Sequence, residues 1–354
     1  MLKFLIRRLL AIPVTLLVIT AVLYGIVTLA PAETRAQLYF PPRTRPFMPE
    51  NIYRNTLNRI IRDHGLDDPY PVQYVRWASR LVRGEWGWSP IIRSDVLAAL
   101  LERTPATAEL TLYSLLLLIP MGLLSGVMAG WKQDHLSDHG FRLLAYVATS
   151  IPPFILGLVL LSIFYVGLHW FPPDRLDIGT SLDLNASGFR TFTGLLTIDG
   201  LLNSRLDISL EALRHLALPV ITLSLAHWAT LGRVTRASTI EELGKEYIVA
   251  ARARGLSNRS IIWRHAFLNA APPAVASTAL SAASLVTGVF VVEAVFSFPG
   301  VSELITRTMS YTPDAPMAVG FAVYSVIVVL LLMLVLDVLQ AVINPRIREE
   351  VIER

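Results

Sequence analysis

The sequence predicts an all-α membrane protein with about six transmembrane helices. Three observations carry that expectation. Only 16% of the 354 residues are charged and 53% are hydrophobic, whereas an ordinary soluble domain is about 25% charged. The mean hydropathy is +0.53. Six uncharged runs reach or approach the roughly 20 residues that a helix needs to cross the hydrocarbon core: Leu9–Ala32, Leu110–Trp131, Leu143–Pro173, His215–Gly232, His265–Val292 and Ala315–Leu336. Alternating strand patterns are absent, and backbone groups in lipid must be satisfied within a helix or a closed barrel.

The first run follows Lys3, Arg7 and Arg8. It resembles the start of a signal peptide but exceeds the roughly 7–15 residues of a signal h-region, and no clean small-residue cleavage site follows. It reads as a retained first helix. The fourth run, His215–Gly232, is the shortest. The net charge of +4 is modest, and the basic residues flank apolar runs instead of forming one patch, which argues against nucleic acid. The absence of cysteine excludes disulfides and Cys-ligated metals.

Loop charge sets the expected orientation. Lys3, Arg7 and Arg8, then Lys132 and Arg142, then the stretch from Arg233 to Arg264, and finally Arg346, Arg348 and Arg354 all fall on one side of a six-span topology. That side is expected to be cytoplasmic, with both termini on it. The loop after the first run carries eleven arginines and eight acids, but long loops translocate largely regardless of charge.

That loop opens with a proline-rich turn, Pro41–Pro49, and predicts helices over Asn51–His64, ended by Gly65, and over Tyr70–Val82, where Tyr74, Trp77, Ala78 and Leu81 fall at helical spacing. Trp86 and Trp88 suit a membrane interface. In the loop 174–214, Asn185-Ala186-Ser187-Gly188 and Leu201-Leu202-Asn203-Ser204 read as turns. His169 and His227 have no metal-ligand company at helical spacing, and Pro120 and Pro152-Pro153 read as helix benders.

The segment between the fourth and fifth runs is too polar for lipid and too helix-prone for a plain loop. Glu241, Glu242 and Glu246 precede Arg252 and Arg254, the favourable sense for the helix dipole. Gly255 stands where a C′ glycine ends a helix. Ser257 or Asn258 can cap a second helix starting near Arg259, and Pro272-Pro273 marks the return to the membrane. Two short helices therefore meet at Gly255, with Ala250, Ala251 and Ala253 leaving a thin surface against which another backbone could pack.

The run Glu246-Tyr247-Ile248-Val249-Ala250-Ala251-Arg252-Ala253-Arg254-Gly255-Leu256, followed by Arg264-His265-Ala266-Phe267-Leu268-Asn269-Ala270, resembles the permease subunits of bacterial ABC importers of the oligopeptide, dipeptide and nickel branch. Gly65-Leu66-Asp67-Asp68-Pro69, His215-Leu216-Ala217-Leu218-Pro219, Val292-Glu293-Ala294-Val295-Phe296-Ser297-Phe298-Pro299-Gly300 and Asn344-Pro345-Arg346-Ile347 extend the likeness over nearly the whole chain. The long first loop resembles the first of the two permease types. The wider importer motif E-A-A-x3-G has Glu where Val249 stands, and Glu246 or the neighbouring arginines take up that role.

The resemblance implies a type I ABC importer permease fold. Its parts are an N-terminal transmembrane helix (1–32), a periplasmic cap (33–105), a core of five transmembrane helices (106–343) with an outer loop 174–214 and a coupling segment 236–270, and a cytoplasmic tail (344–354). It also implies a multi-pass inner-membrane location and a pore shared with a second permease. Two ATPase subunits would dock on Glu246, Tyr247, Ala250, Ala251, Arg252, Ala253, Arg254, Gly255, Leu256, Arg264 and His265, and an extracytoplasmic binding protein would deliver cargo. ATP and Mg²⁺ would sit on those partners. The chain lacks a G-x-x-x-x-G-K-[ST] loop, binds no cofactor of its own in this reading, and is not an enzyme. Charged residues at span ends, Glu109, Glu293 and Asp337, are candidates for the substrate pathway, Glu293 and Asp337 above all. Peptides are the expected cargo, with oligosaccharides or nickel as alternatives. An ion-coupled secondary transporter is the competing class, but no central ionisable pair or inverted repeat supports it.

Overall fold

The computed structural model describes residues 2–39, 49–186, 188–309 and 314–343. Most of the proline-rich turn, Ser187 and the tail 344–354 lie outside the described residues. The chain forms two compact units, Met1–Glu102 with Leu304–Leu330 and Arg103–Glu303 with Leu331–Arg354.

The first unit begins with α1 (Leu2–Thr28), one face of which, including Leu10, Val14, Leu17, Val18 and Val22, is exposed. A short helix α2 (Ala32–Ala36) precedes α3 (Glu50–His64) and α4 (Tyr70–Val82), as the sequence predicts to within one residue. Gly65 ends α3 with φ +58°. The left-handed backbone is what favours glycine there; a Cβ would also lie 2.1 Å from the Arg76 guanidinium, a flexible chain end that would have to shift. Arg76 in turn bonds the His64 carbonyl and pairs with Asp68 at 2.6 Å. α4 docks on α1 through Tyr24, Tyr70, Tyr74 and Trp77. Tyr24 stacks on Trp77 at 4.8 Å, and the Tyr70 hydroxyl donates to the Ala21 carbonyl. A two-residue hairpin, β1 (Trp88–Ser89) against β2 (Ser94–Asp95), follows; it is too short to leave an alternating signature in the sequence.

Helix α5 (Val96–Trp131) carries into the second unit. There it packs with α6 (Leu136–Ser150), α7 (Pro153–Leu160, continued as a π-helical stretch to Gly167), α10 (Leu206–Leu243) and α13 (Phe267–Val295). The core is Leu110 and Leu118 of α5, Leu216, Leu223 and Leu231 of α10, Leu285, Val289 and Val292 of α13, and Phe296 and Phe298 beyond it. Gly122, Gly126 and Gly130 recur every fourth residue, on one face of α5. A Cβ on Gly126 would meet the Gly232 carbonyl oxygen at 2.6 Å, and one on Gly130 would meet the Arg236 carbonyl oxygen at 2.9 Å. The α5 and α10 backbones are thus in near contact along a small-residue stripe, a packing that membrane helices favour because lipid supplies no hydrophobic drive between them.

Among the described residues, four helices are long and apolar enough to span a membrane, and the bent pair α6–α7 makes a fifth if taken as one span. The expected run Leu143–Pro173 is not a single rod. It breaks at Ile151–Pro152 with a bend of 103°, because each of two successive prolines drives the residue before it out of the helical region; Ile151 (ψ 121°) and Pro152 (ψ 138°) are both extended. The expected fourth span lies inside α10, which is twenty residues longer than the uncharged run it contains. The expected fifth span lies in α13. Pro272 and Pro273 sit inside that helix instead of opening it.

The loop 174–214 is more ordered than its sequence suggests. It holds α8 (Ile178–Ala186) and α9 (Leu196–Leu202). Asn185 and Ala186, expected in a turn, are the last residues of α8, and Leu201 and Leu202 end α9, leaving Asn203 and Ser204 to make the turn. α14 (Val301–Met309) and α15 (Ala315–Ile343) complete the described fold.

Candidate functional site

Between α10 and α13 the chain builds a two-helix elbow. Helix α11 (Glu246–Ala253) follows the end of α10 at Gly244. It stops at Gly255, which has φ +76° and donates its N–H to the Arg252 carbonyl. Ser257 then caps the next helix by accepting from the Ser260 N–H, as expected. That helix, α12 (Asn258–Ser260), is not a separate short element. It continues through a π-helical stretch, Ile261–Ala266, directly into α13, so the elbow runs without a break into a helix of the core.

The inner side of the elbow is a small apolar core of Ile248, Ala251, Ile261 and Ala266, with Leu243 and Tyr247 against it. A polar lock closes over it. Tyr247 donates to Glu242 at 2.6 Å, Lys245 pairs with the other Glu242 oxygen at 2.5 Å, and Asn269 donates to the Tyr247 hydroxyl at 3.2 Å. Burial, reinforced by Glu242, raises the Tyr247 pKa; the phenol therefore stays neutral and remains a donor. The end of α10, α11 and the start of α13 are held as one piece.

This sorts the residues of the expected docking set. Glu246, Ala250, Arg252, Ala253, Arg254, Gly255, Leu256 and Arg264 are exposed. Ala251 is buried and Tyr247 and His265 are half-buried. Ala251 and Tyr247 therefore shape the elbow from inside and do not belong to its thin outer surface. Val249, at 60% exposed, stands on the outer face. By sequence, Glu242 stands out only for the helix dipole and Asn269 only within the motif; their contacts with Tyr247, five residues after Glu242 and 22 before Asn269, are made by the fold.

Arg236, at the head of the expected coupling segment, has a structural partner. Its guanidinium forms a two-pronged ion pair with Asp138 at 2.5 and 2.7 Å. The Asp138 side chain is fully buried and also accepts from the Asp134 N–H. This pair ties the start of α6 to α10, about two turns before the elbow's base at Gly244. Asp138→Ala leaves the guanidinium unpartnered and is expected to destabilise by about 3–5 kcal/mol. The double variant with Arg236→Ala should recover part of that loss in thermal unfolding.

The charged span-end residues are all buried. Glu109, fully buried, pairs with Arg175 at 2.6 Å and accepts from the N–H and hydroxyl of Thr197. It holds the outer loop to α5. Glu293 accepts from Thr107 at 2.5 Å and from the Ser302 N–H at 2.8 Å, and Gly300 lies under its carboxylate. Asp337 is 9% exposed on α15. Within the first unit, a cavity of about 780 Å³ is lined by Tyr24, Arg35, Trp77, Arg80, Trp86 and Pro316 among others.

A family model described as "Binding-protein-dependent transport system inner membrane component" matches residues 119–349, and the N-terminal model of the same system matches residues 1–111. The chain belongs to this family. The permease is 32% identical over 351 residues to the di/tripeptide transport system permease protein DppB of Pseudomonas aeruginosa (strain UCBPP-PA14), covering 99% of this chain and all of the relative. It is 30% identical over 349 residues to the oligopeptide transport system permease protein AppB of Bacillus subtilis (strain 168), covering 98% and 99%. It is 33% identical to the probable D,D-dipeptide transport system permease protein DdpB of Escherichia coli (strain K12), over 82% of this chain and 84% of that one. The permease is a multi-pass inner-membrane transport subunit of an ABC importer, not an enzyme.

Proposed function

We propose that the permease carries peptides inward through a pore shared with a second permease, and that the elbow Glu246–Leu256 seats in a cleft of an ATPase subunit. The observation that supports this reading most is the elbow's two-sidedness. Its inner side is locked by Glu242, Lys245, Tyr247 and Asn269, while its outer side presents Glu246, Val249, Arg252 and Arg254 to solvent. A rigid lever with a free, charged surface is what transmission of force requires. With Val249 apolar, polar contact with the ATPase falls to Glu246 and the two arginines. Because α12 runs unbroken into α13, movement of the elbow tilts a membrane helix of the core, which switches the pore between inward and outward access.

In this reading both termini and the elbow are cytoplasmic, and ATP and Mg²⁺ are held by the two ATPase partners. An extracytoplasmic binding protein delivers the peptide to the cap and the loop 174–214. Glu293 and Asp337 are fixed charges of helices along the pathway, Glu293 acting by positioning the turn 298–302. The names of the relatives support peptides as cargo.

Reconstitution tests the reading. Uptake of a labelled dipeptide into proteoliposomes should require ATP, the ATPases and the binding protein together. Uptake by this chain alone under an ion gradient would overturn it.

A further inference from the structure

Asp177, Glu211 and His215 of the second unit form a cluster to which no role has been assigned above. Asp177 immediately precedes α8. Glu211 and His215 stand four residues apart on α10 and so share a face. One ligand atom from each of the three lies within 4.8 Å of the others.

The histidine makes this more than a group of acids. Its side chain is only 1% exposed. Nδ1 lies 2.9 Å from the Pro173 carbonyl oxygen. A carbonyl can only accept, so Nδ1 carries the proton and donates it. In the neutral imidazole this leaves Nε2 unprotonated, its lone pair facing the two carboxylates. Among the described residues Nε2 has no hydrogen-bond partner; the nearest Asp177 oxygen is at 3.7 Å, too far for a hydrogen bond. A buried lone pair facing two anions calls for a cation between them, a proton on Nε2 or a metal ion, and no described acceptor lies close enough to hold a proton there.

The spacing suits a metal ion. Ligands held about 2.0–2.2 Å from a tetrahedral centre are separated by roughly 3.4 Å, close to the observed 3.7 Å. The surroundings suit it too. The Pro173 carbonyl fixes the imidazole from behind. Glu211 is oriented by the Asp177 N–H and the Thr180 hydroxyl, both at 2.8 Å, as outer-shell groups orient metal ligands. Asp177, with 58% of its side chain exposed, leaves room for water to complete the coordination. One imidazole nitrogen with two carboxylates favours a first-row transition ion over Mg²⁺ or Ca²⁺, which take oxygen ligands.

We propose that Asp177, Glu211 and His215 bind one divalent transition-metal ion, Zn²⁺ fitting best, which clamps the start of α8 to α10.

The test uses the full chain in nanodiscs, stripped with chelator, re-equilibrated with Zn²⁺ and dialysed. The wild type should retain one equivalent by elemental analysis and unfold at a higher temperature with Zn²⁺ than without. His215→Asn keeps a donor for the Pro173 carbonyl but removes the ligand. Asp177→Asn removes a ligand at an exposed position where folding is not at risk. Each should lose the bound ion or weaken its binding by about tenfold or more, and lose the temperature shift. Equal zinc in the wild type and in Asp177→Asn, no retained zinc in the wild type, or a shift given by Mg²⁺ and not by Zn²⁺ would each overturn the proposal.

Discussion

Gly255→Pro is expected to abolish ATP-coupled uptake while leaving the permease folded in the membrane. Residue 255 has φ +76°, whereas proline holds φ near −65°, so the elbow cannot keep its angle. The substitution also removes the N–H that closes α11 onto the Arg252 carbonyl. Yet nothing lies within 4 Å of a Cβ built there, so the damage stays local. Gly255→Ala separates angle from bulk. It meets no neighbour and costs about 1–2 kcal/mol of left-handed backbone strain, so it should retain most of the uptake that proline destroys. ATPase activity stimulated by the binding protein, measured in nanodiscs beside uptake, gives the readout. Full coupled transport by Gly255→Pro would show that the elbow's geometry is not what transmits the stroke.

Gly126→Leu should have the opposite signature: loss of the folded protein itself. Its Cβ would press on both the Gly232 carbonyl oxygen and the Thr235 Cβ, each at 2.6 Å. Neither is a flexible chain end, so α5 and α10 must separate. Overpacking by a methylene or two costs about 1–3 kcal/mol in a tight core; here the clash is with backbone and the side chain is larger, so the effect should exceed that range. Gly140→Ala is the control, because a Cβ there meets nothing within 4 Å and alanine is the better helix former. Size-exclusion profiles after solubilisation should be normal for Gly140→Ala and lost for Gly126→Leu. A monodisperse Gly126→Leu peak with an unchanged melting temperature would mean that the two helices do not pack as described.

What the sequence made legible follows from which signals are local. Helices α3 and α4, the stop at Gly65, the elbow at Gly255 and the Ser257 cap are all set by residues within a few positions of one another, and all are where the spacing put them. The fourfold spacing of Gly122, Gly126 and Gly130 was not legible as a packing stripe, because its meaning depends on the partner face on α10. The break at Ile151–Pro152 was marked by its prolines, but a bend of 103° depends on what packs on either side. The short helices of the loop 174–214 carry no strong periodicity; they are held by Glu109, Arg175, Asp199 and Glu211, whose partners lie up to 88 residues away. In the elbow, the motif could not separate the residues that face outward from Tyr247 and Ala251, which face in. That division depends on Glu242, Ile261 and Asn269, contributed by the flanking helices.

The same long-range pairing has a consequence for biogenesis. Asp138 meets Arg236 only after 98 further residues are made, and Glu109 meets Arg175 after 66. At about 5–20 residues per second, those carboxylates wait roughly 3–20 s beside apolar helices before their partners emerge. The half-made chain therefore contains two acids that its own sequence cannot yet neutralise. They must be held in water or in the insertion machinery until Arg175 and then α10 arrive. A truncation after α7 should accordingly be a substrate for membrane quality control, while a chain extended through α10 should escape it.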